Sequence, residues 1–182
     1  VTLVPERLFP TRLFIAVRPS VAAADLVDRV PRRESPRVRW LPREQWHVTL
    51  RFLGDAEPDE VVAALAAVPW SRMLPVDVTL GPATEVLGES VVMVPAAGCD
   101  DLVDRVVAAT GGLGQDPEDR AFAGHLTLGR FREEPPAGSI GTPISATFQV
   151  DEVLLMASQT RSGGAVHEIV ARFSIAGKGA GG

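Results

Sequence analysis

The stretch "HVTLRFLG", from His47 to Gly54, determines how the rest of the chain is interpreted. Its apolar and β-branched residues indicate a β-strand. In a strand, residues two apart point to the same face, so His47 and Thr49 face one side while Val48 and Leu50 face the other. A strand anchored in the core by its apolar face would therefore present an imidazole and a hydroxyl together on the opposite face.

A second copy of this pattern occurs later in the chain, where "HLTL" spans residues 125–128. Each copy is preceded by a short apolar strand pattern and a helical pattern. These are "RLFIAV" (12–17) and residues 20–30 for the first copy, and "SVVMVP" (90–95) and residues 100–110 for the second. The sequence therefore predicts two related halves, each with one His-x-Thr strand.

The remaining patterns add one helix and several strands. A helix is predicted over 57–68, with Pro58 and acidic residues in its first turn. Further strands are predicted over 37–42, 75–81, 124–131, 146–158 and 166–175, and the glycine-rich tail 176–182 is expected to be disordered. This order is typical of an α+β fold rather than of a doubly wound parallel sheet.

The composition limits the classes of function. A chain of 182 residues can form one domain with a substantial core, which we place at residues 1–175. The net charge is −5, and the seven arginines between Arg29 and Arg51 could form either a solvated face or a phosphate-attracting surface. With one cysteine, Cys99, and no apolar run long enough to cross a bilayer, we expect a cytoplasmic monomer without a membrane partner.

Two facing His-x-Thr strands would suit acid–base chemistry on a phosphodiester. Histidines, with an unperturbed pKa near 6.5, can supply one general base and one general acid near neutral pH. One would deprotonate water and the other would protonate the departing oxygen, while the threonines hold the non-bridging oxygens. A zinc site is the competing hypothesis, but no carboxylate or cysteine lies beside either motif at ligand spacing, so we expect no metal and no other cofactor.

Paired H-x-T-x motifs are the hallmark of the 2H phosphoesterase superfamily, and the sequence resembles its branch of RNA 2′,3′-cyclic phosphodiesterases, also called 2′-5′ RNA ligases. The resemblance covers nearly the whole chain and includes "RLFIAVRP", "WHVTLRFLGD", "RAFAGHLTLGRF" and "SQTRSGGAVHEIVARF". It implies a bilobal α+β fold, in which two pseudo-symmetric halves line a central cleft with antiparallel sheets and carry their helices outside.

The resemblance also implies a function: metal-independent hydrolysis of a terminal 2′,3′-cyclic phosphate on RNA, or on a small nucleotide, to a 2′-phosphate. A reversible 2′-5′ RNA ligase activity could accompany it. It makes His47 the proton donor to the leaving 3′ oxygen and His125 the proton acceptor that activates water. It assigns substrate contacts to four further residues: phosphate binding to Thr49, Thr127 and Arg130, and base contact to Phe52.

Several positions raise questions about this transfer of roles. Arg130 follows His125 by five residues, so strict alternation would turn it to the wrong face unless the strand has a bulge or ends before it. Gly124 replaces the usual proline, Ile15 replaces an aromatic residue found in some relatives, and His167 replaces a tyrosine. We interpret His167 as a residue of the C-terminal hairpin at the cleft rim. Fewer aromatic residues leave fewer platforms for stacking bases.

Two other functions stay open at this point. The same fold could serve as a non-catalytic module that binds RNA ends, and the arginine-rich segment would suit this role as well. A sibling phosphodiesterase could instead act on cyclic ADP-ribose phosphate or on 2′-5′ oligoadenylate. The expected partner is RNA with a 2′,3′-cyclic phosphate end or a small cyclic nucleotide.

Overall fold

The computed structural model describes residues 12–117, 119–161 and 164–175. This part of the chain contains three α-helices and ten β-strands, joined into one antiparallel sheet. The helices are α1 (Val21–Val27), α2 (Pro58–Ala66) and α3 (Asp100–Thr110). The strands are β1 (Arg12–Val17), β2 (Val38–Trp40), β3 (Val48–Gly54), β4 (Asp77–Leu80), β5 (Glu85–Leu87), β6 (Val91–Ala97), β7 (His125–Phe131), β8 (Ala146–Gln149), β9 (Glu152–Arg161) and β10 (Gly164–Ser174).

The sheet consists of two halves that meet at its centre. The strand order is β10-β9-β1-β3-β7-β6-β4-β8, with β2 paired to β7 and β5 paired to β6 beside this path. The first motif lies on β3 and the second on β7, so the two motif strands are neighbours, and four strands of the main path lie on each side of their junction, with β2 and β5 added on the side of β7. The predicted α+β class and the two-part antiparallel arrangement are confirmed. None of the described helices is long and apolar enough to cross a membrane.

Strand β1 shows how the sheet divides the apolar residues between its faces. Leu13, Ile15 and Val17 are fully buried in the main core, which also contains the buried residues of the helices. Phe14 and Ala16 point the other way and form a second, smaller cluster on the face that carries the cleft. Ile15 therefore points away from the cleft, and it is Phe14 that brings an aromatic ring to that face.

The predicted helices form, with small changes at their ends. The Ser20 hydroxyl caps α1 by accepting a hydrogen bond of 3.2 Å from the Ala23 N–H. Helix α1 ends at Val27, earlier than the predicted limit of residue 30. Helix α2 begins with Pro58, whose missing N–H costs nothing in the first turn.

Two strand predictions were incomplete. The segment predicted as one strand over 146–158 is two strands, β8 and β9, because the chain turns at Val150 and Asp151. There the Val150 N–H donates to the Val76 carbonyl and the Asp151 carbonyl accepts from Ile175. Strand β5 was not predicted, since three residues are too few to show a pattern. The predicted disorder of the tail at 176–182 concerns residues outside the described part of the chain.

We expect the substitution Gly129→Ala to lower the free energy of unfolding by about 1–3 kcal/mol. A Cβ at Gly129 would lie 2.7 Å from Cε3 of Trp40 and 3.0 Å from the Arg39 carbonyl oxygen, so β2 would have to move away from β7. Urea denaturation followed by circular dichroism measures the effect. The control Gly112→Ala adds a Cβ with no atom within 4 Å and should change stability by less than about 0.5 kcal/mol. An equal effect of both substitutions would contradict the steric explanation.

Candidate active site

The two motif strands are joined by one residue pair in the described chain, Val48 of β3 with Leu126 of β7. These are the second residues of "HVTL" and "HLTL", so a pseudo-two-fold axis passes between them. Both side chains are fully buried, and the residues on either side of each therefore point to the opposite face of the sheet. The antiparallel register brings the histidine of each motif towards the threonine of the other.

A cavity of about 300 Å³ opens on this opposite face. Six residues singled out in the sequence line it together: His47, Thr49, Phe52, His125, Thr127 and Arg130. The lining also includes Phe14, Arg39 and His167, which come from three other strands. The cavity thus draws on both halves of the sheet.

A bulge on β3 turns Phe52 into the cavity. Thr49 pairs with Ala16 and Arg51 pairs with Ile15, so Leu50 is an extra residue in the ladder between β3 and β1. Such an extra residue shifts the alternation of side chains by one. Phe52 lies five residues after His47 yet faces the same side, and its side chain is 41% exposed at the cavity instead of packed in the core.

Strand β7 has the same irregularity at the equivalent place. Thr127 pairs with Met93 and Gly129 pairs with Val92, so Leu128 is the extra residue. The burial pattern changes phase here: alternation up to Leu128 is followed by a buried Gly129 and an exposed Arg130. Arg130 consequently lies on the cavity side, and the bulge required by the spacing from His125 is present.

The two catalytic candidates, His47 and His125, are held in the same way. Nδ1 of His47 lies 2.6 Å from the carbonyl oxygen of Gln45, and Nδ1 of His125 lies 3.0 Å from that of Ala123. A carbonyl oxygen can only accept, so Nδ1 of each ring carries a hydrogen and donates it. Each ring is thereby oriented by the carbonyl two residues upstream, and Nε2 is the nitrogen left to exchange a proton with a bound molecule.

Burial governs the protonation of His47. Removal of the ring from solvent, with smaller contributions from the positive charges of His167, Arg18 and His125, lowers the pKa of His47 to about 4. The hydrogen bond to the Gln45 carbonyl acts in the opposite direction but does not prevail. His47 is therefore neutral near pH 7 in the unliganded protein.

His167 lies further inside the site than the predicted position at the cleft rim. Its ring centroid is 5.0 Å from that of His47, nearly perpendicular to it, and 5.1 Å from that of Phe14. Nδ1 of His167 is buried without a hydrogen-bond partner among the described residues. Burial, together with the charges of Arg18 and Arg39, lowers the pKa of His167. The third histidine thus packs directly against a motif histidine.

Sequence reasoning missed Phe14 and Arg39 as parts of the site. In "RLFIAV" every residue after Arg12 is apolar, so alternation could not show which of them faces the cleft. Arg39 belongs to the arginine-rich segment noted in the sequence, but its place follows from the pairing of β2 with β7, where it stands opposite Arg130. That pairing joins residues far apart in the chain and has no local signal.

The glycine before the second motif has a steric reason. A Cβ at Gly124 would lie 2.4 Å from the carbonyl oxygen of Ala96. The Ala96 N–H donates a hydrogen bond of 2.8 Å to the Gly124 carbonyl, so β6 and the segment leading into β7 run very close together. In this chain the close approach accounts for glycine at a position where proline is usual.

A metal site is not evident from the donor groups. Among the described residues, no three His, Cys, Asp or Glu side chains come together in a way that could hold a metal ion. Cys99 is buried at the start of α3, and its burial raises the pKa of the thiol to about 11. The polar side-chain groups that line the cavity are imidazoles, hydroxyls and guanidinium groups.

Comparison with known proteins agrees with this geometry. The family model of the 2′-5′ RNA ligase superfamily matches residues 17–161. Among solved structures, TT0787 of Thermus thermophilus is 26% identical with a TM-score of 0.74, covering 92% of this chain and 99% of its own. LigT of E. coli in complex with 3′-AMP is 24% identical with a TM-score of 0.68 and the same coverage. No curated protein sequence matches at a significant level.

The family match extends over most of the chain and includes both His-x-Thr motifs. The neighbouring structures share the fold over almost their full length. The chain belongs to the 2′-5′ RNA ligase superfamily of 2H phosphoesterases.

Proposed function

We propose that this protein hydrolyses the 2′,3′-cyclic phosphate at an RNA end, or on a small nucleotide, to a 2′-phosphate without a metal ion. The observation that carries the proposal is the pair of identically oriented histidines, His47 and His125, that share one cavity with two threonine hydroxyls. Both halves contribute to the cavity, so we propose that they act as one catalytic domain. LigT structures hold 3′-AMP and ATP, which supports a nucleotide ligand for this fold.

The proposed reaction uses the two Nε2 atoms. Nε2 of His125 accepts a proton from water as the water oxygen attacks phosphorus. The bond between phosphorus and the 3′ oxygen breaks, and Nε2 of His47 gives that oxygen a proton. The product has a 2′-phosphate and a free 3′ hydroxyl. In 2′-5′ ligation a 5′ hydroxyl takes the place of water and the 3′ oxygen again leaves, so the two histidines keep their roles; they exchange roles when the 3′ hydroxyl attacks the 2′-5′ linkage and re-forms the cyclic phosphate.

The other predicted residues stabilise the charge and position the substrate. The hydroxyls of Thr49 and Thr127 donate hydrogen bonds to the non-bridging oxygens, which carry the charge of the transition state. Arg130 adds positive charge to the cavity, and the exposed ring of Phe52 contacts a base. A preformed set of donors of this kind needs little rearrangement during the reaction.

The role of His47 as donor requires a proton that the unliganded site does not hold near neutral pH, because the pKa of His47 is about 4. A phosphate group in the cavity carries negative charge, and a nearby opposite charge favours the protonated imidazole. Substrate binding therefore raises the pKa of His47, and the imidazole takes up from solvent the proton that it then gives to the leaving oxygen.

We expect His47→Ala and His125→Ala each to reduce kcat by about 10²- to 10⁴-fold, because each removes one proton-transfer group. The assay is hydrolysis of a nucleoside 2′,3′-cyclic phosphate in EDTA, with circular dichroism as the check on folding. The kcat of the double variant should be only slightly lower than that of the less active single variant, since the two histidines act as a unit.

The same assay separates the alternatives. Full activity in either variant would contradict the mechanism, as would loss of wild-type activity in EDTA. An inert wild-type protein that still binds RNA ends would identify a binding module. Faster turnover of cyclic ADP-ribose phosphate or 2′-5′ oligoadenylate under these conditions would reassign the substrate.

The threonine hydroxyls can be tested with isosteric substitutions. We expect Thr49→Val and Thr127→Val each to lower kcat by about 100-fold, because a donor to the transition state is lost. Thr79→Val is the matched control, since Thr79 is exposed on β4 and lies outside the cavity. Activity of the control should equal that of the wild type, and an equal loss in all three variants would argue against a specific phosphate contact.

The pH dependence of kcat/KM follows from the lowered pKa of His47. Since kcat/KM reports groups of the free enzyme and His47 must be protonated to act as the donor, we expect the ionisation of His47 to set the lower of the two limbs of kcat/KM, near pH 4 instead of near 6.5. In kcat, which reports the substrate complex, the corresponding limb should lie at higher pH. Folding must be verified at each pH. The pKa of His47 is lower in the folded than in the unfolded protein, so the unfolded state binds more protons below pH 6.5 and the free energy of unfolding decreases as the pH falls. An acidic limb of kcat/KM at 6.5 would contradict the burial argument.

A further inference from the structure

The cavity has a cationic end that the reacting phosphate does not explain. Arg39 of β2 and Arg130 of β7 are direct register partners on adjacent antiparallel strands, and both line the cavity. Directly opposed residues have Cβ atoms about 5 Å apart and point to the same face. The fold therefore roots two arginine side chains opposite each other in the lining of the cavity.

Such a pair is unfavourable without an anion, because like charges opposite each other on a sheet repel. Within the described residues neither Arg39 nor Arg130 forms a salt bridge, and the Arg39 guanidinium makes only a long contact, 3.4 Å, to the Ala165 carbonyl. Nearby arginines outside the cavity do have carboxylate partners: Arg37 binds Glu133, and Arg43 binds Asp25 and Asp28. The two arginines of the cavity thus differ from Arg37 and Arg43 in having no carboxylate partner among the described residues.

The position of the pair separates it from the reacting centre. The two histidines and two threonines surround the axis between Val48 and Leu126, while Arg130 lies three residues beyond Thr127, roughly 10 Å further along β7. The pseudo-equivalent position on β3 is occupied by Phe52. One end of the cavity is therefore aromatic and the other cationic, although the backbone of the two halves is alike.

The chemistry of a ribonucleotide matches this polarity. The cyclic phosphate spans C2′ and C3′, and the two carbons that flank this edge carry the base at C1′ and, through C4′, the 5′ substituent. With the cyclic phosphate on the axis and the base towards Phe52, the 5′ oxygen points towards Arg39 and Arg130. A phosphate on that oxygen would be bound by two guanidinium groups through charge-assisted hydrogen bonds.

We propose that Arg39 and Arg130 form a second anion subsite that binds the 5′-phosphate of the terminal nucleotide. The preferred substrate is then an RNA strand end, or a nucleotide with an additional 5′-phosphate, and not a nucleoside 2′,3′-cyclic phosphate. This inference rests on the proposed function for the orientation of the substrate, but it concerns binding and can be tested without catalysis.

The test compares two stable ligands, adenosine 2′-monophosphate and adenosine 2′,5′-bisphosphate, by isothermal titration calorimetry. We expect the wild type to bind the bisphosphate about 10- to 100-fold more tightly, as is typical of charge-assisted hydrogen bonds. Arg39→Gln should lose most of this difference in affinity between the two ligands. In a plot of log K against log salt concentration, the slope for the bisphosphate should decrease by about one released counterion.

The matched control is Arg37→Ala, which removes an arginine of the same segment that is paired with Glu133 outside the cavity. It should keep the preference for the bisphosphate, and Arg130→Gln should lose it as Arg39→Gln does. Equal affinity of the wild type for both ligands would overturn the proposal, and so would an unchanged preference in Arg39→Gln. A preserved preference in a protein that hydrolyses no cyclic phosphate would support the subsite and refute the proposed function instead.

Discussion

The pairing of Val48 with Leu126 is the contact on which the rest of the site depends. It joins equivalent residues of two related motifs in antiparallel register, and an antiparallel pair of equivalent residues requires a two-fold relation between the halves. Because both side chains are buried in the core, the flanking histidines and threonines must share the other face. One apolar contact thereby fixes the approach of four polar groups that lie far apart in the sequence.

The bulges at Leu50 and Leu128 convert this symmetric frame into an asymmetric site. Each inserts one residue directly after the threonine of the motif and so turns the fifth residue after the histidine into the cavity. Since the bulge is at the same position in both halves, the two ends of the cavity differ in the side chain that the bulge turns inward. This side chain is Phe52 at one end and Arg130 at the other. The duplicated fold thus provides a common reaction centre with two distinct ends.

The sequence was sufficient for what depends on local pattern. The two-residue alternation of "HVTL" and "HLTL" predicted which residues share a face, and the spacing of Arg130 showed that a bulge or a strand end was needed to bring it to that face. The sequence was insufficient where pairing between distant strands determines which side chains enter the site. Arg39 enters the site through the β2–β7 register, and Phe14 could not be separated from its apolar neighbours by pattern alone. The contact between His47 and His167 likewise arises from the order β10-β9-β1-β3 in the sheet.

The electrostatics of the unliganded cavity favour an anion and disfavour additional protons. His47 and His167 have lowered pKa values because they are buried, and the charge of Arg18 acts on both, as that of Arg39 does on His167. The arginines remain charged, so the cavity is positive even when its histidines are neutral. In the proposed mechanism, a bound phosphate offsets this charge and lowers the cost of protonating His47 when a proton donor is needed. Burial, with a smaller contribution from Arg18, keeps His47 neutral until an anion binds.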